Sequence, residues 1–214
     1  MQRVKQRAHY EREAIHAILD AGMIAHVGFC VETQPGAIQP VVIPMLYARD
    51  GDALLLHGSI ASRLLNRLGE GVPACVGVTL TDALVLARSH FNHSVNYRSV
   101  VAFGRAVLVD DPAQKAAALE RLVEALIPGR AAESRAADRN ELAATKLLRF
   151  EIEDASAKVR DGGVKDDAAD LALPHWAGVV PIETRYAAPQ PDASMGDAGL
   201  PASVRALLAP GARR

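Results

Sequence analysis

Apolar and polar positions repeat with two different periods along this chain, and the changes of period divide it into elements. Ile15, Ile18 and Leu19 fall at helical spacing within residues 10–21, and Gly22 is suited to end that helix. From Met23 to Val31 the period becomes two, with Val27, Phe29 and Val31 on one face of a strand. Gln34-Pro35-Gly36 predicts a type II turn. A second strand follows over Ile38–Ala48, interrupted by Pro40 and Pro44. Proline removes a ladder donor, so this strand is expected to have an irregular or exposed edge that something other than a strand can approach. Asp50-Gly51 then turns the chain into Ala53–His57, completing a hairpin.

Ser59 is a candidate cap for a short helix whose stripe is Ala61, Leu64, Leu65 and Leu68. Strands are predicted at about 73–80, 83–89 and 97–109, the first alternating cleanly through Ala74, Val76, Val78 and Leu80. Asp111-Pro112 opens a helix with stripe Ala116, Leu119, Val123 and Leu126, ended by Pro128-Gly129. Asp138 and Glu141 have capping-box spacing, and Leu148, Phe150 and Ile152 alternate as a further strand. After Ile182 the composition shifts to Pro, Ala, Gly and Asp. The chain is therefore divided into a folded domain over 1–182 and an arm or loosely ordered tail over 183–214, with one weak helical patch near Val204–Leu208. Short strands in hairpins with helices inserted singly predict a mainly β fold, an antiparallel barrel decorated by helices.

The totals narrow the function classes. At 214 residues the chain suits one domain, and 50% hydrophobic residues exclude a disordered chain. A formal charge of −1 favours neither nucleic acid nor an anionic membrane as partner. The polar, basic opening MQRVKQRAHYERE lacks an apolar segment behind it, and no apolar run has the length of a membrane span, so a soluble cytoplasmic protein is expected. Cys30 and Cys75 lie in apolar strand-like stretches and are expected to be buried, inert thiols.

Motifs for nucleotide-binding loops and serine hydrolases are absent. His90 and His93 have H-x-x-H spacing but no third and fourth ligand in a matching cluster, so no metal site is assigned. More informative is His57-Gly58-Ser59-Ile60-Ala61-Ser62-Arg63, where a strand ends, glycine permits close approach and a helix begins with two hydroxyls and an arginine. Free helical amides and a guanidinium fork suit a phosphate. On spacing alone, an N-cap beside a surface arginine is the more frequent explanation of such a segment.

The stretch ALLLHGSIASRLL (53–65) resembles the strand-to-helix segment of pyridoxamine 5'-phosphate oxidase-like FMN-binding proteins, in the flavin-nucleotide-binding or nitroimidazole-reductase-like branch. The likeness extends through ILDAGMIAHVGF (18–29), PVVIPMLYARDGDALLLHGSIASR (40–63), LVLARSHFNHSVNYRSVVAFGRA (84–106), SAKVRDG (156–162) and WAGVVP (176–181). It implies a split β-barrel with FMN at the interface of a homodimer and a small-molecule redox substrate. It further implies that Val42, Ile43 and Pro44 lie along the flavin and that His57 and Gly58 flank the ribityl chain. Ser62 and Arg63, beside Ser59, hold the phosphate, while Asn96, Tyr97, Arg98 and Trp176 approach the flavin, several of them from the partner subunit. Two departures count against pyridoxamine phosphate as substrate. Leu64 stands where the oxidase has a lysine, and its arginine-containing C-terminal signature is unmatched after Trp176. No side chain stands out as a general acid or base, His57 and Tyr97 being the candidates. The alternative is a non-catalytic flavin or haem binder, with His57, His90 and His93 as iron ligands in principle.

Overall fold

The computed structural model describes residues 8–9 and 11–209. A two-residue strand, β1 (Ala8–His9), precedes α1 (Arg12–Ala21), which buries Ile15, Ile18 and Leu19 on one face as their spacing requires. Tyr10, the first position of the expected helix, lies outside the described residues. Two hairpins follow: β2 (Ile24–Gln34), β3 (Ala37–Asp50) and β4 (Ala53–Ser59). Gly36 at φ 78° and Gly51 at φ 62° take the left-handed conformations that the two turns need.

α2 (Arg63–Gly69) is capped by Ser62, whose Oγ accepts from the Leu65 amide at 3.3 Å. Ser59, the expected cap, instead ends β4 and accepts from the Ala61 amide at 3.2 Å. Either serine can take a nearby amide, and the path of the chain leaving β4 decides between them. The strands expected at 73–80 and 83–89 are a single β5 (Pro73–Leu86), paired with β6 (Ser94–Leu108). Its register slips between Thr81 and Ala83, and Asp82, left out of the ladder, accepts a guanidinium fork from Arg98 at 2.7 and 3.0 Å.

α3 (Pro112–Leu126) buries Lys115, Ala118 and Leu122, a face rotated from the expected stripe. Lys115 takes a core-facing position because its ammonium donates to the carbonyls of Leu142 and Thr145 at 3.2 and 3.1 Å. A count of apolar residues alone passes over such a lysine. The capping box forms at the start of α4 (Arg139–Ala144), and β7 (Thr145–Arg160) follows it. A strand not expected from the pattern, β8 (Gly178–Pro181), pairs with the end of β5. The tail ends in α5 (Ala202–Leu207), where the amide and hydroxyl of buried Ser203 donate to Glu133 and tie this helix to the body.

β7 pairs with β6 along its length and with β4 through Thr145–Glu151, closing an antiparallel ring in the order β4–β3–β2–β5–β6–β7. Val27, Leu54, Leu56, Val76, Val100, Leu148 and Phe150 fill it, and α1 packs against the same core. Ala53–Leu56 is buried on both faces because α3 covers this wall from outside, Ala118 and Leu122 meeting Ala48, Leu55 and Leu147. Among the described residues no helix covers the outer face of β6, where Val101, Phe103 and Val107 are 42, 51 and 55% exposed. Cys30 is also exposed and Cys75 half-buried, which corrects the expectation of two buried thiols. On β2 the inward positions are Ala25, Val27 and Phe29, so strict alternation turns Cys30 outward.

Candidate functional site

β3 and β4 begin as a tight hairpin and then part. Their pairing runs from Asp50–Ala53 to Tyr47–Leu56 and stops there. Beyond that point β4 keeps β7, with His57 opposite Leu147 and Ser59 opposite Thr145, while β3 keeps β2, with Ile43 opposite Val27. The expected open edge on the proline-containing strand is this stretch of β3, which pairs with β2 on one side and with no strand on the other among the described residues. Unpaired strand backbone is a row of hydrogen-bonding groups available to a ligand.

α2 lies across the gap, and a cleft of about 320 Å³ opens between the three elements. Ile43, Pro44, His57, Gly58, Ser59 and Ser62 line it, six of the residues singled out in the sequence. Val42 and Arg63 sit directly beside the lining, Val42 on the outer face at 67% exposure and Arg63 as the exposed first residue of α2. Met45, Leu46, Leu64 and Leu65 also line the cleft and are not among the expected cofactor-binding residues; Leu64 and Leu65 belong to the expected helix stripe, and Leu64 stands in place of a lysine. The neighbours of a motif residue along a strand or around a helix turn were the available signal for them.

His57 is the polar side chain that this arrangement leaves unfinished. Its Nδ1 is buried without a hydrogen-bond partner. Burial holds its pKa below the ordinary 6.5, so the ring is neutral near pH 7 and can offer one donor and one acceptor. A buried polar atom without a partner costs stability, and a cleft-lining one is satisfied when a polar ligand enters.

The remaining expected residues are not gathered at this cleft within one chain. Asn96, Tyr97 and Arg98 lie toward the far end of β7, Tyr97 opposite Arg160, whereas the cleft adjoins the opposite end at Thr145–Leu147. Each is engaged locally: Asn96 is buried and accepts from Arg160, Tyr97 has the Lys158 ammonium 5.7 Å from its ring centre, and Arg98 holds Asp82. Trp176 is 66% exposed, its ring lying over the backbone of Gly178. Among the described residues no group of three or more His, Cys, Asp or Glu side chains is placed to hold a bare metal ion. No helix among them is long and apolar enough to cross a membrane.

The sequence profile of the pyridoxamine 5'-phosphate oxidase family matches residues 11–159. The chain belongs to this family. Two solved structures resemble this family member over nearly its whole length. One is the FAD and haem binding protein of Mycobacterium smegmatis, with 38% identity over 94% of this chain and 97% of that one, TM-score 0.87. Another is the flavocytochrome Anf3 of Azotobacter vinelandii, with 40% identity over 98% and 96% and TM-score 0.85. A putative 5-nitroimidazole antibiotic resistance protein of Bacteroides thetaiotaomicron shares the fold, at 18% identity over 82% and 90% and TM-score 0.58. None of the curated protein sequences matches the chain. The expected mainly antiparallel β fold and the split-barrel family are both borne out.

Proposed function

We propose that this protein is a redox protein that binds both a flavin and a haem. The observation that carries the reading is the near-complete, 38–40% identical match to two proteins whose names state FAD with haem and flavocytochrome. The cleft supports the flavin half. Its residues fit a flavin nucleotide: an open β3 edge at Ile43–Met45 for the polar rim of the ring, the neutral His57 with an unused Nδ1, and Ser62 and Arg63 for phosphate. The flavin, when bound, supplies the electron-transfer chemistry, and the chain supplies orientation, hydrogen bonds and exclusion of water. FMN is what the family resemblance implies. The Mycobacterium smegmatis relative is named for FAD, whose diphosphate the Ser62–Arg63 corner serves equally well.

The same reading takes the protein as a homodimer. The outer face of β6 carries Val101, Phe103 and Val107 at 42, 51 and 55% exposure, an apolar row suited to a second copy of the chain. Asn96, Tyr97 and Arg98 lie far from the cleft of their own chain and Trp176 is not part of its lining, so a flavin contact by them would be made in the cleft of a second copy. The substrate is a small redox-active molecule. Pyridoxamine phosphate is not proposed, because half-buried Leu64 lines the cleft at the position where that oxidase carries a lysine.

Absorption of the purified protein tests the reading. Twin flavin bands together with a Soret band are expected, with FAD and haem b identified after release by chromatography and sedimentation at twice the chain mass. Protein that takes up neither cofactor after reconstitution refutes it.

A further inference from the structure

The turn joining β5 to β6 contains polar groups that the polypeptide itself does not use. Arg88 Nε, Ser89 Oγ and Asn92 Nδ2 are all buried without hydrogen-bond partners, within five consecutive positions. Two of these are obligate donors and the third can donate, so together they ask for a ligand rich in acceptors. Arg88 is held in place by Asp166, which accepts from its Nη1 at 2.7 Å and from its backbone amide at 2.9 Å. Asp166 is thereby neutralised and its side chain is only 1% exposed, while Nε stays unspent. Beside these groups Phe91 is 92% exposed, an aromatic face with nothing on it.

His93 completes the pattern. Its Nδ1 lies 2.8 Å from the Ser89 carbonyl oxygen. A carbonyl can only accept, so Nδ1 carries the proton and Nε2 is left with a free lone pair on an exposed side chain. A histidine whose Nδ1–H donates to a backbone carbonyl while Nε2 points outward is the arrangement in which protein imidazoles ligate iron. The neighbouring His90 ring meets that of His93 edge to face at 6.4 Å. His57 has no such orienting bond, and it lies in the cleft assigned to the flavin.

We infer that this turn, Arg88–His93, is the haem site, with His93 Nε2 as an axial ligand, Phe91 against the macrocycle, and Arg88, Ser89 and Asn92 receiving propionate oxygens. The inference rests on the haem half of the proposed function and assigns it a place separate from the flavin cleft. A haem needs one or two axial imidazoles and not a cluster of ligands.

The test uses the full chain reconstituted with haemin and, separately, with haemin dimethyl ester, which lacks free carboxylates. H93G is expected to lose the histidine-ligated Soret spectrum and its haemin on gel filtration, and to regain the spectrum when imidazole is added. H90A and H57A are expected to keep it. N92A removes a donor that the protein leaves unpaired, so its melting temperature holds or rises. Its haemin affinity falls about tenfold while its affinity for the dimethyl ester is unchanged. Retention of the wild-type Soret spectrum by H93G overturns the assignment and leaves the haem reading intact. Wild-type protein that takes up flavin but no haemin overturns both.

Discussion

Arg63→Ala separates a phosphate site from an ordinary helix start. Arg63 is the first residue of α2, directly after the cleft-lining Ser62, and its exposed side chain makes no hydrogen bond or ion pair with the described residues. Removing it therefore changes the stability of the apoprotein by no more than about 0.5 kcal/mol. Ser62 satisfies the Leu65 amide by its hydroxyl and the Asn66 amide by its carbonyl, so the Arg63 and Leu64 amides remain without helical partners. With a phosphate over those amides, the guanidinium adds charge-assisted hydrogen bonds worth about 1.5–3 kcal/mol. Flavin nucleotide should then bind the mutant roughly ten- to a hundredfold more weakly. Riboflavin, which has no phosphate, should bind both proteins alike. Arg67, one turn on, is already paired with Glu70, so Arg67→Ala should change nucleotide affinity less than about twofold. Fluorescence titration of apoprotein with FMN, FAD and riboflavin makes the comparison. Unchanged nucleotide affinity in Arg63→Ala, or an equal loss for riboflavin, refutes the phosphate assignment.

A Cβ at Gly104 would stand 1.9 Å from the Glu151 carbonyl oxygen, where the β6–β7 register slips and the ring closes, so Gly104→Ala should destabilise the fold by about 3 kcal/mol. A melting temperature near wild type would contradict that geometry. His57 should make the apoprotein sensitive to acid. Its folded pKa is held below 6.5 by burial, so between that value and 6.5 the unfolded chain binds more protons; its stabilising effect is complete above 6.5 and is lost as pH falls through the window. Urea unfolding from pH 7.5 to 5 should show this slope flattened in His57→Gln, and an unaltered slope sinks the idea. If the proposed dimer forms through the exposed face of β6, Phe103→Glu should yield a monomer and weaken flavin retention. A sedimentation profile identical to wild type would remove this face from the interface.

Local periodicity and turn chemistry were enough to locate α1, the β2–β3–β4 hairpins, the capping box of α4 and the strand through Phe150, because each depends on neighbours within a few residues. The same locality made His57–Arg63 recognisable, a strand end and helix start contiguous in the chain. Choices between locally equivalent groups were not legible. Ser62 or Ser59 can cap α2, and Lys115 can face the core only because carbonyls from α4 and β7 arrive beside it. The parting of β3 from β4 is also a tertiary event. Tyr47 and Leu56 are the last pair because β7 continues along β4 and β2 along β3, pairings set by ring closure across about a hundred residues. That divergence makes the cleft. The same closure sends Asn96–Arg98 toward the far end of β7, a separation that no motif in a linear sequence can express.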